Sequence, residues 1–347
     1  MDLDERKQKI LSAIVEQFIR TGEPVGSKKI AEMMNFKVSP ATIRNDMAVL
    51  FDRGLLEQPH TSAGRVPSHL GYRVYINNLM RCIPMSQQEQ AEIDSVFNVM
   101  NPDPDKLMAD AAKTLAEMTG CVSITSTFTP KTVFVSRVEL IPATDRTVVI
   151  LVIASNGVIK NKVCRVMFRV NAQICEFFTS FVNDRLQGRS LNEISMWYLN
   201  SISVDLGEYS ALFNPLLASV YELCKEINDG QFYIEGQTNL LAYPELADTV
   251  SDLLLMFTDK EKVLSALPSG EQDMIISIGK ENHKMELADS SVMLARYSIG
   301  GNRCGVVGLI GPIRLNYAKL VPNIAYFAQL LGTLLSDTFE QQEAKGE

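Results

Sequence analysis

Apolar positions recur at helical spacing near the start of the chain. Leu11, Ile14, Val15 and Phe18 fall at i, i+3, i+4 and i+7, which predicts one helix over residues 4–20 with a single buried face. Thr21-Gly22-Glu23-Pro24-Val25-Gly26 then breaks the chain with two glycines and a proline. A short second helix follows, with Ser27 as its cap and Ile30, Met33 and Met34 turned inward. A turn at Asn35-Phe36-Lys37 leads into a stretch with both ends marked. Ser39 can cap the N-terminus, Pro40 suits the first helical position and Gly54 suits the left-handed residue past the end. Ile43, Met47 and Leu50 share its buried face; Ala41, Asn45, Ala48 and Asp52 lie opposite, with Thr42 and Arg44 on the flanks. Two short helices joined by a tight turn form a helix-turn-helix pattern. Residues 55–60 read as extended, and the small residues, glycine and arginine of 61–67 read as a hairpin tip. Helix, helix-turn-helix and hairpin in that order predict a winged helix.

Beyond it, residues 71–80 carry Tyr72, Tyr75, Ile76 and Leu79 on one side of a connecting helix. Ser86 opens another helix, the prolines of Asn101-Pro102-Asp103-Pro104 interrupt, and a helix over 105–119 closes at Gly120. The period then changes to that of strands at residues 122–125, 133–140, 147–154 and 158–167, with Asn156-Gly157 marking a hairpin. Residues 172–184 read as a helix burying Ile174, Phe177, Phe178 and Phe181. From 188 to 268 the pattern is mostly helical, interrupted at 232–236, and strands resume at 274–278. A helical block between two strand-rich halves reads as an insertion. The fold expected is a multidomain α+β chain, with an antiparallel sensor-type body behind the winged helix.

Composition narrows the classes. At 347 residues, two or three domains are expected. The longest apolar run, 148–154, is too short to span a bilayer, and residues 1–6 hold no signal-peptide core, so a cytoplasmic chain without membrane contact is expected. The six cysteines are scattered, and His60, His69 and His283 stand apart, so no disulfide frame, metal site or cofactor is expected. The net charge of −8 is uneven: residues 1–80 hold 11 basic and 9 acidic residues, and the rest hold 22 and 32. A slightly basic head on an acidic body fits a local nucleic-acid module.

The candidate chemistry lies on that head. A helix entering a major groove N-terminus first can pair Arg44 and Asn45 with base edges, while Ala41 and Ala48 let it approach closely. Ser39, Thr42 and Lys37 are expected on phosphate, and His60, Thr61, Ser62 and Arg65 form the wing, with Arg65 on phosphate or in the minor groove. No enzyme is expected. The glycines of residues 305–311 lack a phosphate-loop lysine and read as tight turns between strands, and Glu281 and Glu286 read as solvated charges.

Residues 21–28, Ser39 with Ala41-Thr42-Ile43-Arg44-Asn45, Pro59-His60-Thr61-Ser62-Ala63-Gly64-Arg65 and Gly71-Tyr72-Arg73 resemble the N-terminal region of the heat-inducible transcription repressor HrcA family. Gly236-Gln237-Thr238-Asn239-Leu240-Leu241, Ile278-Gly279-Lys280-Glu281-Asn282 and Ile310-Gly311-Pro312-Ile313-Arg314-Leu315-Asn316-Tyr317 resemble later motifs. Phe51 departs from the pattern, which has an acidic residue there, and Ile313 and Leu315 stand where Thr and Met are expected. The resemblance implies a winged helix over 1–80, a helical linker over 81–104, a GAF-like body over 105–187 and 269–343, and a mostly helical inserted dimerisation domain over 188–268. It also implies a homodimer, double-stranded DNA carrying an inverted repeat upstream of chaperone operons, and modulation by the GroEL-type chaperonin. A small-molecule-sensing regulator with a ligand pocket in the GAF-like domain is the alternative.

Overall fold

The computed structural model describes residues 3–34, 38–59, 64–97, 104–127, 133–155, 158–268, 270, 272–299 and 302–343. The head begins with α1 (Glu5–Thr21), α2 (Ser27–Met33) and α3 (Pro40–Asp52). Strands β1 (Leu56–Glu57) and β2 (Val66–Pro67) follow, then α4 (His69–Val74), which continues through a π turn at Tyr75–Leu79. Asp4 caps α1 by accepting from the Lys7 N–H at 2.9 Å, and Gly22, at φ 71°, closes it. In α2 the expected cap differs. Gly26 occupies the cap position and Ser27 is already helical. So short a helix turns only Ile30 fully inward, and Met33 is exposed.

The body is built on a five-stranded antiparallel sheet with strand order β7 (Phe232–Glu235), β3 (Val122–Thr127), β10 (Asn302–Pro312), β9 (Ser290–Ile299) and β8 (Met274–Ile278). One face packs on α6 (Pro104–Thr119) and α12 (Tyr317–Glu343) through Leu107, Met108, Leu115, Ile324, Phe327 and Leu331. The other packs on residues 240–266, which include α10 (Val250–Met256) and α11 (Lys260–Ala266). A sheet covered on both faces explains the unbroken apolar run Val292-Met293-Leu294-Ala295 in β9. Gly305 and Gly308 sit inside β10 and not in turns as expected: a Cβ on either would run into Ser126 and Tyr297, or into Leu294.

Between β3 and β7 the chain forms a separate unit. Strands β4 (Val135–Thr144), β5 (Thr147–Ala154) and β6 (Ile159–Arg165) make their own antiparallel sheet, backed by α7 (Ala172–Leu186), α8 (Met196–Ser203) and α9 (Ser210–Asn228). Its core holds Val148, Ile150, Val152, Phe178, Val182, Leu216 and Leu223. This corrects the expected division at residue 187. The strands assigned to the body belong to the inserted unit, and residues 240–266 pack on the body sheet instead. The cause is pairing at a distance: β3 and β7 are direct neighbours, Ser123 opposite Glu235 and Ser126 opposite Phe232, so everything between them leaves the sheet. The insertion is therefore sheet and helices together. Phe177, expected in the core, is exposed on α7. The expected Asn156-Gly157 turn lies outside the described residues.

Ser86 caps α5 (Gln87–Val96) with a reciprocal bond from Glu89. Head and body share one core. Ile10, Leu11, Ile43 and Leu50 of the head are continuous, through Tyr72 and Tyr75, with Tyr317 and Phe327 of the body. The Tyr72 and Tyr317 rings meet edge to face at 6.1 Å. Arg73 donates to Glu281 at 2.8 Å and to the Ile276 carbonyl at 2.7 Å, and Arg314 donates to the Ile19 carbonyl at 3.1 Å. Gly279, at φ 54°, lies against the His69 imidazole with no room for a Cβ.

Candidate nucleic-acid interface

Helix α3 is fixed at its start by Ser39, whose hydroxyl accepts from the Thr42 N–H at 3.2 Å and lies 3.1 Å from the Thr42 hydroxyl. Pro40 takes the first helical position. Gly54, at φ 72°, donates to the Phe51 carbonyl at 2.8 Å and turns the chain into β1. Ile43, Met47 and Leu50 are buried against α1 and α2, as the spacing predicts. Ala41, Arg44, Asn45 and Ala48 are all exposed, and Thr42 is half-buried beside them. The structure thus brings six of the expected residues onto one surface and its N-terminal edge. Lys37, His60, Thr61 and Ser62 lie outside the described residues.

Arg65 is placed elsewhere than a solvated hairpin tip. Its backbone bridges Val25 with two bonds of 2.9 Å, and its guanidinium lies 4.7 Å from the centre of the Phe51 ring. Phe51, where the family pattern has an acidic residue, is 41% exposed and forms the floor under that cation. Gly64 makes the bridge possible, because a Cβ there would sit 2.5 Å from the Val25 carbonyl carbon. Behind the hairpin, Ser68 accepts from the Gly71 N–H at 3.0 Å and donates to the Gly54 carbonyl at 2.6 Å, joining α3, the hairpin and α4.

Sequence reasoning missed Asp46. It is only 4% exposed and accepts from Arg6 at 2.7 and 3.0 Å, with the Lys7 ammonium at 3.5 Å. The Arg6 hydrogen bonds hold its carboxyl below the ordinary value of 3.8. The signal was present: a carboxylate three residues after Ile43, inside the apolar stripe, requires a cationic partner. Asp46 adjoins Asn45, so the pair ties α3 to α1 one residue from the exposed face.

The arrangement offers hydrogen-bonding and cationic side chains on a rigid exposed helix, with hydroxyls at its N-terminus. That suits a negatively charged groove lined with base edges. Among the described residues no cluster of His, Cys, Asp or Glu could hold a metal ion, and no helix is long and apolar enough to cross a membrane. The ligand-sensing alternative expects a pocket in the sheet domain. A cleft of about 1100 Å³ lies between head and body, lined by Glu5, Lys9, Glu16, Arg20, Arg314 and Lys319 among others.

Comparison with known proteins gives two family matches. Residues 2–79 match a family described as winged helix-turn-helix transcription repressor, HrcA DNA-binding, and residues 105–321 match the HrcA protein C-terminal domain. A heat-inducible transcription repressor HrcA of Clostridium botulinum (strain Alaska E43 / Type E3) is 36% identical over 341 residues, covering 97% of this chain and 99% of the relative. The HrcA of Thermoanaerobacter sp. (strain X514) is 32% identical over 349 residues, covering 99% and 100%. A crystal structure of a hypothetical protein shares the fold with a TM-score of 0.65 at 24% identity, covering 97% of this chain and all of that one.

Proposed function

This chain belongs to the HrcA family of heat-inducible transcription repressors, and we propose that it represses chaperone operons by binding an inverted-repeat operator as a homodimer, with the GroEL-type chaperonin modulating its activity. The observation that carries the DNA-binding part is the surface of α3: Ala41, Arg44, Asn45 and Ala48 exposed together on a helix capped by Ser39 and backed by a solid core. Arg44 and Asn45 read base edges. Ala41 and Ala48 allow the helix into the groove. Ser39, Thr42 and Lys37 meet phosphates, and His60, Thr61, Ser62 and Arg65 act from the wing.

One winged helix reaches too few base pairs for specific affinity at physiological salt, whereas two related by a two-fold axis multiply it. The inserted unit supports that assembly. Its helices expose Trp197 at 80% and Val204 at 75%, and the exposed Phe177 and Tyr209 rings lie 6.1 Å apart, apolar surface that a partner could cover. In this reading the five-stranded unit is the GAF-like body and the unit between β3 and β7 is the dimerisation domain. A body that leans on chaperonin to stay folded loses the operator when chaperonin is occupied elsewhere.

The test is a gel shift with a duplex carrying an inverted repeat from upstream of a chaperone operon, against the same duplex scrambled, with chaperonin or a metabolite extract added in parallel. The expected result is about a thousandfold or greater preference for the repeat, enhanced by chaperonin. Equal affinity for the two duplexes would overturn the operator reading. A tenfold shift from the extract alone would favour a small-molecule sensor.

A further inference from the structure

The contact between Arg65 and Phe51 is not accounted for by packing. Phe51 lies on the exposed flank of the last turn of α3, so its ring contributes little to the core. Among the described residues Arg65 faces no carboxylate, and its Nε is buried without a hydrogen-bond partner. The guanidinium lies over the ring, where the negative face of the aromatic system attracts a cation. An aromatic ring holds a guanidinium in a way a carboxylate does not: it leaves the positive charge uncompensated and the donors at the guanidinium's edge free.

We propose that Phe51 is a positioning residue for DNA binding, holding the wing arginine un-neutralised at the C-terminal end of α3 so that it meets a backbone phosphate with its side chain already ordered. The inference rests on the DNA-binding reading above. Three features converge on it. The Arg65 backbone is pinned to Val25 from both sides by bonds of 2.9 Å. Gly64 permits that close approach. The side chain is then held by the Phe51 ring at 4.7 Å, which leaves little freedom to be lost on binding. Phe51 follows Asn45 by six residues, about 9 Å along the helix axis. The cation therefore stands at the opposite end of the reading surface from the Ser39 cap. A carboxylate at position 51 would neutralise Arg65 and compete with phosphate for it.

The experiment is fluorescence anisotropy of the full chain on a mixed-sequence duplex across a salt series, with thermal midpoints measured alongside. Arg65→Ala flattens the log–log salt slope by about one unit per bound protomer, and Phe51→Glu does the same. Phe51→Leu keeps apolar bulk without a π face and weakens binding roughly three- to fivefold. Phe51→Trp binds as the parent does. The double variant Phe51→Leu with Arg65→Ala is no weaker than Arg65→Ala alone. Phe51→Leu binding like the parent, Phe51→Trp binding like Phe51→Leu, or additive losses in the double variant would each overturn the inference. An unchanged slope in Arg65→Ala would overturn the wing contact itself, and this inference with it, while Asn45→Ala reports separately on the helix.

Discussion

Arg6 of α1 holds Asp46 of α3 with both arms of its guanidinium, Nε to Oδ2 at 2.7 Å and Nη2 to Oδ1 at 3.0 Å. The carboxylate is buried while the arginine reaches it from the half-open rim of the head, with side chains 6% and 45% exposed. Two helices that share an apolar core can still turn about their axes. A bidentate pair at one point stops α3 turning, and the residue next to that point is Asn45. Arg6→Ala leaves a buried carboxylate with only Lys7 at 3.5 Å. It should lower the urea midpoint and weaken operator binding beyond what that loss explains. Binding and stability both at the parent level would remove the pair from any positioning role.

The same carboxyl sets an acid limit. Its ordinary value is 3.8 and the Arg6 hydrogen bonds lower it in the folded head. The unfolded chain therefore takes up the proton first as pH falls, so the stabilisation is complete above the unfolded value and is lost on the way down through the folded one. Glu89, held by Lys319 and the Ser86 cap, is pushed down to about 2 and adds to the same limb. Urea midpoints should fall steeply below about pH 4, and Asp46→Asn should flatten that fall while starting from a lower value at neutral pH. An acid limb unchanged in Asp46→Asn would assign it to other carboxylates.

Asn45→Ala should cost about 1–3 kcal/mol of operator affinity and relax preference at one base position. Ser39→Ala should instead cost about 1 kcal/mol of stability through the lost cap, with preference among sequences retained. Full affinity in a folded Asn45→Ala protein would remove that residue from base reading.

Gly279→Ala combines a left-handed φ of 54° with a Cβ that strikes the His69 ring. A loss of about 2 kcal/mol or more is expected in urea unfolding, with faster proteolysis between head and body. His69→Ala in the same chain should recover part of it by opening the space. No recovery would place the cost in the backbone alone.

Trp197→Glu puts a charge on an exposed aromatic position of the inserted unit. Sedimentation should show the assembly shifting to monomer while the circular dichroism spectrum stays that of a folded chain, and operator affinity should fall by about two orders of magnitude or more. A dimer that survives this change would move the interface to another face, such as the outer side of β6 with its exposed Ile159 and Val163.

Helix α3 was legible because everything that defines it is local: a serine cap, a proline at the first position, a glycine past the end and three apolar residues at helical spacing. The winged order was legible for the same reason. The sheets were not. Strands β3 and β4 are close in sequence and similar in composition, yet β3 joins β7 and β10 while β4 joins β5, and no spacing rule distinguishes those partners. Segment 240–266 has an ordinary helical pattern, and only the sheet face against which Leu240, Leu253 and Val263 are buried decides that it belongs to the body. At the candidate interface the outward residues followed from the helix period. Asp46 and Phe51 did not, because each is paired with a residue at least fourteen positions away, Arg6 and Arg65.

The shared core of head and body, running from Ile10 through Tyr72 to Phe327, makes the two halves one cooperative unit. Softening α12 or the five-stranded sheet withdraws the wall against which α4 rests, and α4 is anchored by Ser68 to the end of α3. Calorimetry should then register a single melting event for both, with duplex binding lost at that same temperature.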